Sequence, residues 1–131
     1  MTRSHAKSIA RSAALTSLAG RRWGPKRRWR CVYCGRGAGM VVDHFVPEKR
    51  GGEDTVFNLV PACDRCNSSK QDHEPEAWMR AVGVPESRRA ALWRILHLPS
   101  SASLTVPAER FELNYGAAKA LRRPVQGAKG G

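Results

Sequence analysis

Apolar residues along the chain fall into short clusters whose spacing changes several times. In residues 4–19, Ile9, Leu15 and Leu18 recur at roughly helical spacing with Ala10, Ala13 and Ala14 between them. This predicts a helix that Gly20 ends. Its apolar face is thin, so the helix needs a partner or a DNA surface to be stable. Met40 to Val46 is a short run with β-branched residues and predicts a strand. Pro47 to Asp54 carries Gly51-Gly52 and reads as a loop. Thr55 to Val60 returns as a second strand, or as a turn leading into one, and Pro61 is expected to stop it. A helix is expected from near Asn67 through Lys70. Two more follow prolines: Glu76 to Val82, ended by Gly83, and Glu86 to Leu98, ended by Pro99. In the latter, Leu92, Ile95 and Leu96 form a core-facing stripe with Trp93 at its margin. Phe111, Leu113, Tyr115 and Leu121 are expected to dock a short C-terminal piece, and Pro124 to Gly131 to be disordered.

The order turn, strand, loop, strand, turn, helix divides the 131 residues into four parts. Residues 1–30 form a basic arm, partly helical; 31–75 a small core; 76–99 helices packing on it; and 100–131 a partly disordered tail. A core of this size often needs a metal or disulfides to be stable. With the arm a separate element, the core is expected to stay folded when residues 1–28 are deleted.

Charge sharpens this division. The formal net charge is +12, and residues 1–42 hold ten Lys or Arg and no acid. A field so concentrated suggests a polyanion, with nucleic acid first and an anionic membrane surface the weaker alternative. Between Arg21 and Arg30, six basic residues, Arg21, Arg22, Lys26, Arg27, Arg28 and Arg30, interleave with Trp23 and Trp29. The cations suit phosphates. The indoles either stack on bases or cap the small core. No stretch approaches the 18 apolar residues of a membrane span. The N-terminus lacks the apolar core of a secretory signal, although its Arg- and Ser-rich composition also fits a mitochondrial transit peptide. The expected compartment is cytoplasmic, where cysteines read as metal ligands.

Cys31/Cys34 and Cys63/Cys66 form two C-x2-C pairs separated by 28 residues. Two tight turns with two thiolates each complete a tetrahedron around zinc. Four sulfurs leave no open position for water, so the site is structural. An iron–sulfur cluster accepts the same ligands, but nothing else in the chain points to electron transfer. The zinc would staple the two ends of the strand–loop–strand unit.

Between the pairs, adjacent strand residues Asp43 and His44 must point to opposite faces. The whole pattern is C-x2-C-x8-D-H-x13-N-x4-C-x2-C-N-x2-K. This pattern, with Gly51-Gly52 and Asn58-Leu59-Val60, resembles the HNH endonuclease family in its four-cysteine zinc-bearing branch. The resemblance covers Cys31 to about Pro75. It implies an α+β fold: a small ββα-metal, or His-Me finger, nuclease core stapled by the four-cysteine zinc site, with flanking helices. It assigns His44 as general base and Asp43 as a ligand of a catalytic divalent ion. Asn58 orients the histidine or steadies the loop. Asn67 stands as a metal ligand where the family name has its last histidine.

Phosphodiester hydrolysis agrees with these roles, since it needs an activated water and a neutralised phosphate. Mg²⁺ or Mn²⁺ suits the oxygen ligands, with Ni²⁺ also able to serve. Lys49, Arg50 and Lys70 are further candidates for phosphates, and His73 is either an extra ligand or a solvent-facing histidine. The implied partner is DNA, with a protein partner in a larger DNA-processing complex also compatible, no membrane, and a monomer or weak dimer. The competing reading is a zinc-knuckle module that binds DNA without cutting it.

Overall fold

The computed structural model describes residues 3–122. Helix α1 spans Arg3–Trp23 and leads through a short 3-10 turn, Lys26–Arg28, to the first cysteine pair. Strand β1 (Met40–His44) and strand β2 (Leu59–Cys63) form a two-stranded antiparallel sheet, with Met40 opposite Cys63 and His44 opposite Leu59. Helix α2 (Asp64–Lys70) follows β2 without a linker. Helices α3 (Pro75–Val82) and α4 (Glu86–Ile95) come next, then an extended segment and a 3-10 helix, Tyr115–Arg122. The fold is α+β, a ββα core of β1, β2 and α2 flanked by helices.

Five local departures from the expected pattern stand out, the simplest being that α4 ends at Ile95 rather than at Leu98. Helix α1 does not stop at Gly20 but runs to Trp23. Ala19 and Trp23 are buried, and Trp23 Nε1 donates to the Leu59 carbonyl at 3.1 Å. That packing outweighs the cost of about 1 kcal/mol for an internal glycine. Gly24, with φ +78°, instead closes the helix by donating its N–H to Gly20 O at 2.9 Å. Strand β1 ends two residues early, at His44 rather than Val46.

Pro61 lies within β2 rather than ending it, while Thr55 to Asn58 form the turn before it. Phe45 donates to Asn58 O and Asp64 to Gly39 O, so the odd-numbered residues of β1 carry the ladder bonds. Pro61 faces Val42 in a non-bonded pair, where its missing N–H would have pointed away from the partner strand. Its carbonyl accepts from Val32 at 3.0 Å. Finally, α2 starts at Asp64, three residues before Asn67, because Cys63 caps it by accepting from Cys66 N.

One core runs through both strands, the four α-helices and the 3-10 helix Tyr115–Arg122. Tyr33 meets Trp78 edge-on, and Phe45 meets Trp93 edge-on at 4.8 Å. Trp23 and Trp29 are both buried, so these indoles cap the core instead of stacking on bases. Because α1 shares this core, deletion of residues 1–28 would open it. The C-terminal segment is tied down as well. Phe111 N bonds Cys34 O, Asn114 N bonds Val82 O, and buried Arg88 spans Val32 O and Glu109 O. Residues 124–131, expected to be disordered, lie outside the described residues. No helix among the described residues is long and apolar enough to cross a membrane.

Candidate metal centres and active-site cleft

The four cysteines are buried, and their sulfur atoms all lie within 4.8 Å of one another. Cys34 Sγ and Cys63 Sγ are 3.7 Å apart. A tetrahedron with Zn–S bonds of about 2.3 Å has edges of about 3.8 Å, so the donor set fits zinc. The backbone N–H groups of Cys34 and Cys66 point at Cys31 Sγ and Cys63 Sγ, at 3.5 and 3.4 Å. Hydrogen bonds among the thiols, from Cys31 first, bring Cys34 down to about 6 and Cys63 lower still. The same neighbours push Cys31 and Cys66 up. Four crowded thiols cannot all ionise unaided, and a divalent cation removes that conflict.

Strand pleating sends Asp43 inward and His44 outward. Asp43 is buried and accepts from Tyr33 OH at 2.5 Å, while Lys70 Nζ lies 3.1 Å from its carboxylate. Burial pushes the Asp43 carboxyl up, and the Lys70 charge and the Tyr33 hydroxyl oppose that. Burial likewise lowers Lys70, against the pull of Asp43. The Tyr33 phenol is held well above its ordinary range by burial, so it stays a donor. Lys70 also donates to His44 O at 2.8 Å, fixing the backbone of the strand end that carries the histidine.

The His44 side chain is 14% exposed, and its Nε2 lies 2.7 Å from Asp54 Oδ1. This bond is the first cause of a lowered Asp54 carboxyl, with Arg11 adding to it. Arg11, from α1, spans Glu48 at 2.6 Å and Asp54 at 3.3 Å. His44, Glu48 and Asp54 each offer a ligand atom within 4.8 Å of the others. They form a second cluster, which suggests a catalytic metal site.

Asn58 steadies the loop. Its Oδ1 accepts from Val46 N at 2.8 Å, and its Nδ2 donates to Val46 O and Glu53 O at 3.0 and 3.1 Å. A Cβ on Gly52 would collide with Val46 O and press on Asn58 Nδ2, which explains the glycine there. Asp43, His44 and Asn67 are among the residues that line a cleft of about 220 Å³ beside β1 and α2, as are Glu48 and Lys49. His73 is not among the residues lining it, and its Nε2 is buried without a partner among the described residues.

Arg21, Lys26, Arg27 and Arg28 are exposed, as phosphate contacts require. Arg30 is half-buried and donates to Gly35 O. Lys49 and Arg50 are exposed and tied to Asp72. Arg22 is buried, its guanidinium bonded to the carbonyls of Val56, Leu98 and Pro99. Arg22 and Lys70 are therefore withdrawn from any DNA surface. Arg11, Tyr33, Glu48 and Asp54 were not anticipated from sequence. The two loop acids lie between His44 and Asn58, so their position offered a signal, but nothing local marks Arg11.

The model of the HNH endonuclease family matches residues 31–73. A CRISPR-associated endonuclease Cas9 from Actinomyces naeslundii is 37% identical over 59 residues. That stretch is 42% of this chain and 5% of the relative, so the chain spans a small fraction of that protein's length. No solved structure gives a significant match. An HNH endonuclease domain with a four-cysteine cluster fit for structural zinc is present in this chain.

Proposed function

We propose that this chain is a metal-dependent endonuclease that hydrolyses DNA phosphodiester bonds with His44 as general base. The observation that carries this reading is a cleft, lined in part by Asp43, His44 and Asn67, within the residues that the HNH family model matches. Asp54 engages His44 Nε2, so the remaining ring nitrogen, Nδ1, is the atom to take a proton from water. Lys70 and Asn58 hold the histidine and its loop from two sides. Asp43 and Asn67 would hold the catalytic divalent ion at the cleft, and Glu48 and Asp54 add negative charge that draws it. Such an ion, Mg²⁺ or Mn²⁺ with Ni²⁺ as a substitute, supplies neutralisation of the phosphate oxygens.

Asp43 is the residue under most competition, because it must serve Lys70 and Tyr33 as well as an ion. The exposed cations Arg21, Lys26, Arg27 and Arg28, with Lys49 at the cleft and Arg50 next to it in sequence, would bind flanking phosphates. Arg30, half-buried, contributes at the margin. Free, metal-spaced cysteines suit a cytoplasmic setting. One cleft cuts one strand, so a monomer nicks and a double-strand break needs two visits or a weak dimer. A larger DNA-processing complex is compatible with this.

The test is plasmid cleavage with EDTA, then add-back of Mg²⁺, Mn²⁺ or Ni²⁺, beside His44→Ala. His44→Ala is expected to lose about 100-fold to 10,000-fold in rate while keeping its zinc and its DNA binding. Equal cleavage by His44→Ala would overturn the base assignment. DNA retardation without any metal-dependent cutting would make the chain a zinc-bearing binding module.

A further inference from the structure

Beside the His44 cleft, α1 and β1 enclose a second groove of about 350 Å³. Its walls carry Ser8, Arg11, Ser12, Thr16 and Lys26, and Val42 forms part of its floor. Val42 also lines the His44 cleft, so the two depressions adjoin along β1. Arg11 stands at the junction, because its partner Glu48 lines the His44 cleft.

The chemistry of the groove is one-sided. Two cations and three hydroxyls line it, and no carboxylate does. The nearest acids, Glu48 and Asp54, are already paired with Arg11. Lys26 is exposed and has no ion pair among the described residues. Ser8, Ser12 and Thr16 recur every four residues and so share one face of α1. Thr16 Oγ1 donates its proton to Ser12 O at 3.0 Å, whereas the Ser8 and Ser12 hydroxyls each have one proton to donate, and a phosphate oxygen is the natural acceptor beside a lysine. From Val41 to His44 the strand advances about 10 Å. Successive phosphates of one strand lie farther apart than the rise of about 3.4 Å along the duplex axis, because the backbone winds round that axis, so this length reaches from one phosphate to the next.

We propose that the α1–β1 groove is a subsite for the DNA backbone on one side of the phosphate being cut. Lys26 pairs with one phosphate, and Ser8 and Ser12 donate to its neighbours. Arg11 guards the junction by keeping Glu48 and Asp54 from repelling the incoming strand. The proposal rests on the reading of the His44 cleft as the reacting site. It extends the substrate track to α1, outside the matched residues 31–73.

The test uses the zinc-loaded full chain and a labelled DNA duplex, with binding followed across salt concentrations and cleavage in Mg²⁺. Lys26→Ala is expected to weaken binding about 5-fold to 10-fold and to reduce the salt slope by about one, as loss of one phosphate contact requires. Its change in cleavage should fall mainly on KM, and Lys26→Arg should restore it. The double variant Ser8→Ala, Ser12→Ala keeps the helix, alanine being the best helix former. It should raise KM with no change in salt slope, because neutral donors release no counterions. Lys119→Ala removes an exposed charge elsewhere and serves as the control.

A parent protein that cuts normally, with parental KM and salt slope in both groove variants, overturns the proposal. So does an equal loss of slope in Lys119→Ala. A parent that binds through Lys26 and cuts nothing refutes the hydrolase reading instead, and the groove stands as a DNA site.

Discussion

The Lys70 ammonium lies 3.1 Å from the Asp43 carboxylate, with both side chains almost wholly withdrawn from solvent. The pair joins α2 to β1, and the rings of Tyr33 and Phe45 flank the ammonium. Burial opposes both charges, so each depends on the other. Lys70→Ala should therefore cost about 3–5 kcal/mol, the penalty for leaving one buried charge unpaired. Urea unfolding of the zinc-loaded protein, without added divalent ion, measures it. The double variant with Asp43→Ala should lose less than the sum of the two singles.

Asp43→Ala is expected to shift the metal requirement. More Mg²⁺ or Mn²⁺ should be needed for half-maximal cleavage, and high metal should recover part of the rate. A metal titration at saturating DNA reads this. An unchanged half-saturation point would show that the ion is held by other groups, Glu48 and Asp54 being nearest to hand.

Gly52→Ala should disturb the loop through its collision with Val46 O, at a cost of about 1–3 kcal/mol. Asn58→Ala breaks the three bonds that hold the same loop and should lower cleavage less than His44→Ala does. Thermal unfolding and cleavage rates of the two variants, measured together, check that both act through the loop. Parental stability and rate in both would remove Asn58 and Gly52 from the account of the site.

Removal of residues 1–28 should unfold the chain, since it strips Ala19, Arg22 and Trp23 from the core. Circular dichroism and zinc content of the truncated protein test this. Neutralising exposed Arg21, Arg27 and Arg28 instead should preserve the fold and flatten the salt dependence of DNA binding.

Folded protein should carry about one zinc per chain, and replacing Cys31, Cys34, Cys63 or Cys66 by serine should unfold or aggregate it. Elemental analysis of the folded, chelator-washed protein decides this. Absence of tightly held zinc would leave the four buried thiols unexplained.

Spacing made the metal framework and the Asp43-His44 pair legible, because metal and phosphate chemistry tolerate few residue types at few separations. Pro61 was misread because a proline's effect depends on which way its missing N–H would have faced, and only the register with Val42 decides that. Gly20 was misread because the packing of Trp23 on Leu59, far away in sequence, holds the last turn. Arg22 and Lys70 look like ordinary surface cations in the sequence. Their carbonyl and carboxylate partners are 26 to 77 residues distant, beyond any local pattern. Arg11 was missed for the same reason, 37 and 43 residues from Glu48 and Asp54.

Cys63 is at once the last residue of β2, the cap of α2 and one of the four sulfurs. The side chains proposed for the reaction lie on β1, on α2 or in the loop leading into β2, so all of them take their bearings from that one residue. Assembly of the cutting centre is thereby chained to zinc supply. On the proposed function, a newly made chain without its zinc would lack the joint that sets strand against helix and would not cut until the metal arrived.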